Sequence, residues 1–188
     1  MQKRGGRVAL VALAALAWAG PAMAAQTATA GEHRVRMLRS WSENPIFQGR
    51  AVPGRVEIWF DYTAGVAIHK VVANAAGPRG EDQIISSKTM PPGVGQPRPT
   101  PEEIAEAMDI ARQDKEVARL IAATNAALDG GFQVFEAAGK PCGPGSRCLK
   151  VQVLTPDRIG FIRNVVVDLV TQAIAYRTYM PSPEERGK

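Results

Sequence analysis

The chain has 188 residues, of which 45% are hydrophobic and 22% are charged, and its formal net charge is +5 at pH 7. This length favours one domain, or two small subdomains that share a helix. Without residues 1–24, 20 lysine and arginine residues face 18 acidic residues, a balance of +2. Because so small a charge comes without a basic run interleaved with aromatic residues, we expect no nucleic-acid partner.

The first 24 residues have the three parts of a cleaved export signal. Basic residues come first, an apolar run from Val8 to Trp18 follows, and Ala22-Met23-Ala24 supplies the small residues of a cleavage site. We expect cleavage before Ala25 and a periplasmic or secreted protein, by the general or the twin-arginine export route. No later stretch approaches the roughly 20 apolar residues of a membrane span, so no transmembrane segment is expected after cleavage.

Four predicted strands precede the only long helical signal, and two of them form a β-hairpin. Residues on either side of Thr63-Ala64-Gly65 are rich in strand formers, so this turn joins the two halves of the hairpin. Residues 25–32 are small and polar, Asn44-Pro45 and Pro53-Gly54 mark a loop, and the proline-rich segment Met90–Pro99 leads to the helix. The predicted strands are His33–Trp41, Val56–Asp61, Val66–Val72 and Gln83–Thr89.

The stretch from Pro101 to Leu128 is predicted to form one broken helix whose apolar side packs on a sheet. Thr100 and Glu103 have the spacing of a capping box, and a proline at the first helical position needs no amide hydrogen. The apolar spacing slips midway, where Asp114 is expected to cap a second segment, and Asp129-Gly130-Gly131 is expected to end the helix. The acidic residues interpreted as a solvated face are Glu102, Glu103, Glu106 and Asp109.

Two further hairpins are predicted after the helix, and the first of them encloses both cysteines of the chain. Cys142 and Cys148 flank Gly-Pro-Gly-Ser-Arg, and in an oxidising compartment this spacing predicts a local disulfide. A redox-active pair is the alternative, but redox motifs usually have two intervening residues at a helix start, and five intervene here. The predicted strands are Phe132–Phe135, Leu149–Leu154, Phe161–Asp168 and Ala173–Tyr179, followed by a polar tail at 181–188.

The two clearest hairpins resemble each other in sequence. The stretch VEIWFDYTAGVAI aligns with NVVVDLVTQAI, so Asp61 matches Asp168, 107 residues later, and Ala64-Gly65 matches Thr171-Gln172. This weak repeat indicates either two related half-domains or the chance likeness of alternating strands. Each aspartate is expected to accept turn amide hydrogens rather than to act in catalysis.

The residue types that metal and nucleophilic chemistry require are sparse. His33 and His69 are the only histidines, and they are interpreted as isolated strand residues because neither has a ligand neighbour at close spacing. No nucleophile-elbow motif occurs, although a triad assembled in space stays open. We therefore predict no catalytic residue, no metal ligand and no cofactor, and we expect a noncatalytic protein rather than an enzyme.

The predicted elements follow the order hairpin, proline-rich link, helix, two strands and a last hairpin, and they contain the segments Thr100-Pro101-Glu102-Glu103-Ile104, Val151 to Pro156, and Val167-Asp168-Leu169 with Thr171. In this order and in these residues the chain resembles the small amino-terminal domains of copper amine oxidases and the related PepSY-type modules. The chain departs from the family's usual turn at Gln172, where a glycine is expected. The resemblance covers residues 55–180 and implies a cystatin-like fold, in which a helix lies across an antiparallel sheet.

The same resemblance implies an accessory role without oxidase activity. In copper amine oxidases, the copper and the tyrosine-derived cofactor belong to a separate and much larger catalytic domain. None of Tyr62, Tyr176 and Tyr179 lies in an Asn-Tyr-acidic-Tyr motif like that family's cofactor site.

Together these observations predict an α+β fold, with a broken central helix packed on a mainly antiparallel sheet of hairpins. The predicted divisions are a signal peptide at 1–24, an extension with the first strand at 25–54, the α+β domain at 55–180 and the tail. The predicted function is that of an exported, soluble, noncatalytic accessory or binding module whose surface contacts another exported protein. The alternatives are a small periplasmic enzyme and a module like a protease inhibitor. The candidate contact residues, if exposed, are Trp41, Trp59, Phe60, Tyr176 and Tyr179.

Overall fold

The described part of the chain contains ten strands and two short helices. The structure is a computed structural model and describes residues 34–75 and 80–180. The predicted signal peptide at 1–24, the polar stretch 25–32 with His33, and the tail at 181–188 lie outside the described residues. The elements are β1 Val35–Glu43, β2 Ile46–Phe47, β3 Arg50–Ala51, β4 Gly54–Asp61, β5 Val66–Ala73, β6 Gln83–Thr89, α1 Pro101–Gln113, α2 Lys115–Thr124, β7 Ala127–Val134, β8 Cys148–Leu154, β9 Phe161–Asp168 and β10 Ala173–Tyr176.

The strands of the described residues form three antiparallel sheets. The first sheet has the order β1-β4-β5-β6, the second has the order β10-β9-β8-β7, and β2 and β3 form a small ribbon. The predicted α+β fold, with one broken helix on a mainly antiparallel sheet of the cystatin-like or PepSY-like kind, is therefore wrong. Strands account for 44% of the described residues and the two helices are short, so this part of the protein is mostly antiparallel sheet. The physical reason is that β1, β4, β5 and β6 form backbone hydrogen bonds with one another, and β7 to β10 do the same. The strands before and after the helices therefore form two sheets and not one.

The start of α1 and its break follow the sequence prediction. The Thr100 side chain accepts a hydrogen bond from the Glu103 amide, and the Glu103 side chain accepts one from the Thr100 amide, which completes the capping box. Asp114 ends α1 and caps α2 by accepting from the amides of Glu116 and Val117. Local side-chain chemistry thus determines both features.

The predicted end of the helix is wrong. Asn125 adopts a left-handed conformation with φ of +50° and ends α2, so Leu128 and the Asp129-Gly130-Gly131 segment belong to β7. Asparagine tolerates this conformation better than most residues because its short polar side chain bonds locally. The apolar position Leu128 fits helical spacing and strand alternation equally well, and pairing with Val153 of β8 decides between them.

The weak sequence repeat corresponds to a structural repeat of three strands. Asp61 pairs with Val35 at the start of β1, and Asp168 pairs with Cys148 at the start of β8. Each aspartate accepts turn amides, and a four-residue loop joins it to the next strand. Arg34 directly precedes β1, and its carbonyl accepts a hydrogen bond from the Tyr62 amide at 2.9 Å. Arg147 directly precedes β8, and its carbonyl accepts one from the Leu169 amide at 3.0 Å. Tyr62 and Leu169 are the first residues of the two four-residue loops. The unit β1-β4-β5 therefore matches β8-β9-β10, and the predicted turn role of the aspartates is confirmed.

One hydrophobic cluster contains side chains from both four-stranded sheets and both helices. Phe60 of β4 is fully buried and lies edge-on to the Tyr62 ring at 4.9 Å. Ala107 and Ala111 give α1 a small-residue side, which lets the strands approach it closely. The other buried members are Ala67, Val117, Leu128, Leu149, Val151, Val153, Val165, Val167 and Leu169.

A fully buried ion pair links α1 to the residue before β8. Arg147 donates from Nε and Nη2 to the two carboxylate oxygens of Glu103, each at 2.8 Å, and the Tyr62 hydroxyl donates to Glu103 Oε1 at 2.6 Å. The interpretation of Glu103 as part of a solvated face is therefore wrong, whereas Glu102 and Asp109 are exposed. The Glu103 carboxylate on α1 therefore connects Tyr62, which follows β4 of the first sheet, to Arg147, which precedes β8 of the second sheet.

The contacts between Glu103, Arg147 and Tyr62 determine the protonation state of the carboxylate and of the phenol. Burial by itself would raise the pKa of Glu103, but the hydrogen bonds and charge of Arg147 and the bond from Tyr62 hold that pKa below its usual value. Burial and the adjacent Glu103 carboxylate raise the pKa of the Tyr62 phenol. Glu103 therefore stays ionised and Tyr62 stays protonated, which suits a structural link better than proton transfer.

Candidate functional site

The disulfide loop covers part of the side of the second sheet that faces away from the helices. Cys142 and Cys148 form the predicted disulfide, with Cα atoms 5.6 Å apart. The bond packs with Val134 and Val166, and Tyr176 lies against the same group. This side of the sheet is called the outer face below.

Glu136 connects the disulfide loop to β10. Its Oε2 accepts a hydrogen bond from the Cys142 amide at 3.0 Å and another from the Tyr176 hydroxyl at 2.8 Å. Burial and the Glu136 carboxylate raise the pKa of Tyr176 to about 12. The phenol is therefore protonated at neutral pH, and it acts as a fixed donor that holds the loop on the sheet.

A groove of about 340 Å³ lies beside this cluster, along the first half of β9. Tyr179 continues alongside β9 beyond β10: its amide donates to the Asn164 carbonyl at 3.0 Å, and the Asn164 side chain donates to the Tyr179 carbonyl at 3.3 Å. Two apolar side chains on the groove are largely exposed, Phe161 at 58% and Met180 at 84%. The remaining lining residues are Ile162, Arg163 and Thr178.

The five sequence-predicted contact residues fall in different places. Tyr176 and Tyr179 come together on the outer face, with ring centroids 5.6 Å apart. Trp41 lies on β1 of the first sheet and is 38% exposed. Trp59 is half-buried, where it donates to Glu57 at 2.7 Å, and Phe60 is in the core and therefore unavailable to a partner.

Sequence reasoning did not single out Phe161 and Met180, which line the groove. Phe161 is the first residue of β9. The alternation of side chains along a strand places Phe161 on one face of the sheet, and this alternation was the signal in the sequence that could have indicated its position. Met180 follows the last strand, and nothing in its local sequence indicates a groove.

A second depression, of about 430 Å³, lies at the junction of the two helices and is polar. It is lined by Asp114, Arg177 and neighbouring residues of α2, and Arg177 donates from Nη2 to Asp114 at 2.7 Å. In this ion pair Asp114 and Arg177 satisfy each other's charge. Within residues 34–75 and 80–180, no cluster of three or more His, Cys, Asp or Glu side chains is placed to hold a metal ion.

Comparison of the chain with protein-family models finds no match, and comparison with curated proteins finds none. The resemblance to the terminal domains of copper amine oxidases therefore stays a prediction. Neither helix of the described residues has the length and apolar character needed to cross a bilayer.

Proposed function

We propose that this chain is an exported, noncatalytic accessory module that binds another exported protein through the outer face of its second sheet. The observation that carries the proposal is the groove beside Tyr179, where Phe161 and Met180 expose most of their apolar surface. Exposed apolar side chains grouped around a concavity are typical of protein interaction sites. Aromatic residues are enriched among the side chains that dominate binding energy.

The surroundings of the groove suit a preformed binding surface. The disulfide and the Glu136–Tyr176 hydrogen bond hold one side, and the paired hydrogen bonds between Asn164 and Tyr179 hold the other. A surface fixed in this way loses little conformational entropy when a partner binds. The volume is near the lower end of ligand pockets, which suits one or two apolar side chains of a protein partner.

Export is part of the proposal because the disulfide needs an oxidising compartment to form and persist. A loop closed by a disulfide also forms part of the proposed surface.

Photocrosslinking in the native envelope tests this proposal. A benzoylphenylalanine at Phe161 is expected to give a discrete crosslinked product with one partner protein. The same group at Ile46, which is 68% exposed on β2, serves as the control and should not give that product. Identical products at both positions, or none at Phe161, would refute a partner site on the outer face.

A second measurement separates binding from folding. The double variant Phe161→Ser/Met180→Ser should lose co-purification with the crosslinked partner, with an unchanged melting temperature. Ile46→Ser should retain co-purification. Retention of the partner by the double variant would contradict the assignment of the groove.

A further inference from the structure

The first sheet has an open edge at β1. This strand pairs with β4 along one side, and within the described residues its other side has no backbone partner. In the structural repeat, β8 occupies the place of β1, and β8 has β7 along the corresponding side. The second unit thus fills a strand position that the first unit leaves open.

The second half of β1 is self-complementary in sequence. A bulge between Met37 and Arg39 interrupts the register, and the regular stretch after it reads Arg39-Ser40-Trp41-Ser42-Glu43. If a second copy pairs antiparallel about Trp41, each Arg39 lies opposite a Glu43, and each Ser40 lies opposite a Ser42. Trp41 lies opposite itself.

The pairing places these side chains on matching faces. Arg39, Trp41 and Glu43 pair in turn with Ile58, Val56 and Gly54 of β4, so they lie on one face of the sheet. All five residues of the stretch are exposed. Opposite charges and aromatic pairs directly across two strands are favourable, whereas like charges there are unfavourable.

Arg39 is available for such a pair. Its guanidinium lies 5.5 Å from the Trp41 ring centroid, and no carboxylate of residues 34–75 and 80–180 lies within ion-pair distance of it. The Glu43 carboxylate of a second copy would supply the missing charge. The bulge at Leu38 ends the regular register, which restricts the contact to about five residues and favours a reversible association.

We propose that two copies of this chain associate by antiparallel pairing of β1, with two Arg39–Glu43 ion pairs around a central pair of Trp41 side chains. The two first sheets then form one continuous eight-stranded sheet, since each copy contributes four strands. None of the β1 residues in this pairing lines the groove beside Tyr179. The association therefore does not depend on the proposed function of the outer face.

Charge reversal with sedimentation equilibrium tests the dimer. The mature protein from Ala25 should show a concentration-dependent monomer–dimer equilibrium below about 1 mM. Arg39→Glu and Glu43→Arg should each weaken dimerisation by about tenfold or more, because each places like charges opposite one another. The double variant Arg39→Glu/Glu43→Arg should restore dimerisation to nearly the original level, since it exchanges the two charges. Arg50→Glu, an equal charge change on the exposed strand β3, should have no comparable effect.

Several outcomes would overturn the proposal. A parent protein that is monomeric at every concentration, single reversals without effect, an unrestored double variant, or an equal effect of Arg50→Glu would each do so. Circular dichroism checks that every variant is folded.

Fluorescence quenching tests the pairing at Trp41 directly. In a Trp59→Phe variant of the mature protein, Trp41 is the only remaining tryptophan, and iodide should quench its fluorescence less as the protein concentration rises. Quenching that is independent of concentration would also overturn the pairing at Trp41.

Discussion

Replacing Arg147 by methionine is expected to destabilise the protein by about 3–5 kcal/mol at pH 7, because the change leaves the Glu103 carboxylate buried without its cation. The side chains of both residues are fully buried, so water cannot substitute for the guanidinium without rearrangement. Arg112→Met is the matched control. Arg112 pairs with Asp109 on the exposed side of α1, where such a pair contributes less than about 1 kcal/mol.

Urea unfolding followed by circular dichroism measures these differences, and a second substitution tests their cause. Adding Glu103→Gln to Arg147→Met should recover about 1–2 kcal/mol, because a neutral amide no longer buries a charge and still accepts from the Tyr62 hydroxyl. A loss of less than about 1 kcal/mol for Arg147→Met, or a further loss in the double variant, would refute the reasoning.

The pH dependence provides an independent check. The pKa of Glu103 is lowered in the folded parent, so its contribution to stability is present above the unfolded carboxyl pKa of about 4.3 and is lost as pH falls through the folded value. In Arg147→Met the pKa of Glu103 is expected to rise above the unfolded value. As pH is lowered from 7, the variant is therefore relieved of its buried charge when Glu103 is protonated, above the unfolded carboxyl pKa of about 4.3, whereas the parent loses its contribution only below that value. The difference in unfolding free energy between parent and variant should narrow over both ranges.

Three further predictions concern the loops and the outer face. Mass spectrometry of the mature protein should show Cys142 joined to Cys148, and replacing both by serine should cost about 2 kcal/mol or less because the closed loop is short; free thiols in native material would contradict this. Gly65→Ala should destabilise by at least about 2 kcal/mol more than Gly49→Ala, since both glycines are left-handed but only the new Cβ at Gly65 meets a backbone carbonyl, that of Gly145; equal losses would rule out that contact. The phenol absorbance of Tyr176 should titrate near pH 12, and the stability that this raised pKa provides should be present below about pH 10 and lost as pH rises through 12; titration at an ordinary phenol pKa would exclude the hydrogen bond from Tyr176 to Glu136.

Features with a local cause could be predicted from the sequence. The capping box of Thr100 and Glu103, the break at Asp114 and the disulfide each depend on residues within one or two turns of chain. The main hairpins were also predicted, because their strands alternate and their turns are short. These features concern elements and not the way the elements assemble.

Sheet membership depends on contacts between distant residues, and sequence reasoning failed there. The pairing of β1 with β4 passes over the β2-β3 ribbon, and no local signal indicates that the later hairpins form a sheet of their own. Arg147 lies in a glycine-rich turn segment, where an exposed arginine is the ordinary expectation, yet it is fully buried against Glu103. The groove could not be predicted for the same reason, because residues from β9 and from the chain after β10 enclose it.

The likeness of the two three-strand units creates an ambiguity for a refolding chain. β1 lies beside β4 and is preceded by Arg34, and β8 lies beside β9 and is preceded by Arg147. The loop of the β4-β5 hairpin has the same length as the loop of the β9-β10 hairpin. Because of this likeness, β8 can compete with β1 for the place next to β4. Synthesis from the amino terminus resolves this competition, since β1 and β4 are made before β8. A chain diluted from denaturant has no such order of arrival. Strand exchange between its two halves is then the characteristic error, and it should lower the yield of refolding from denaturant relative to the yield of folding during synthesis.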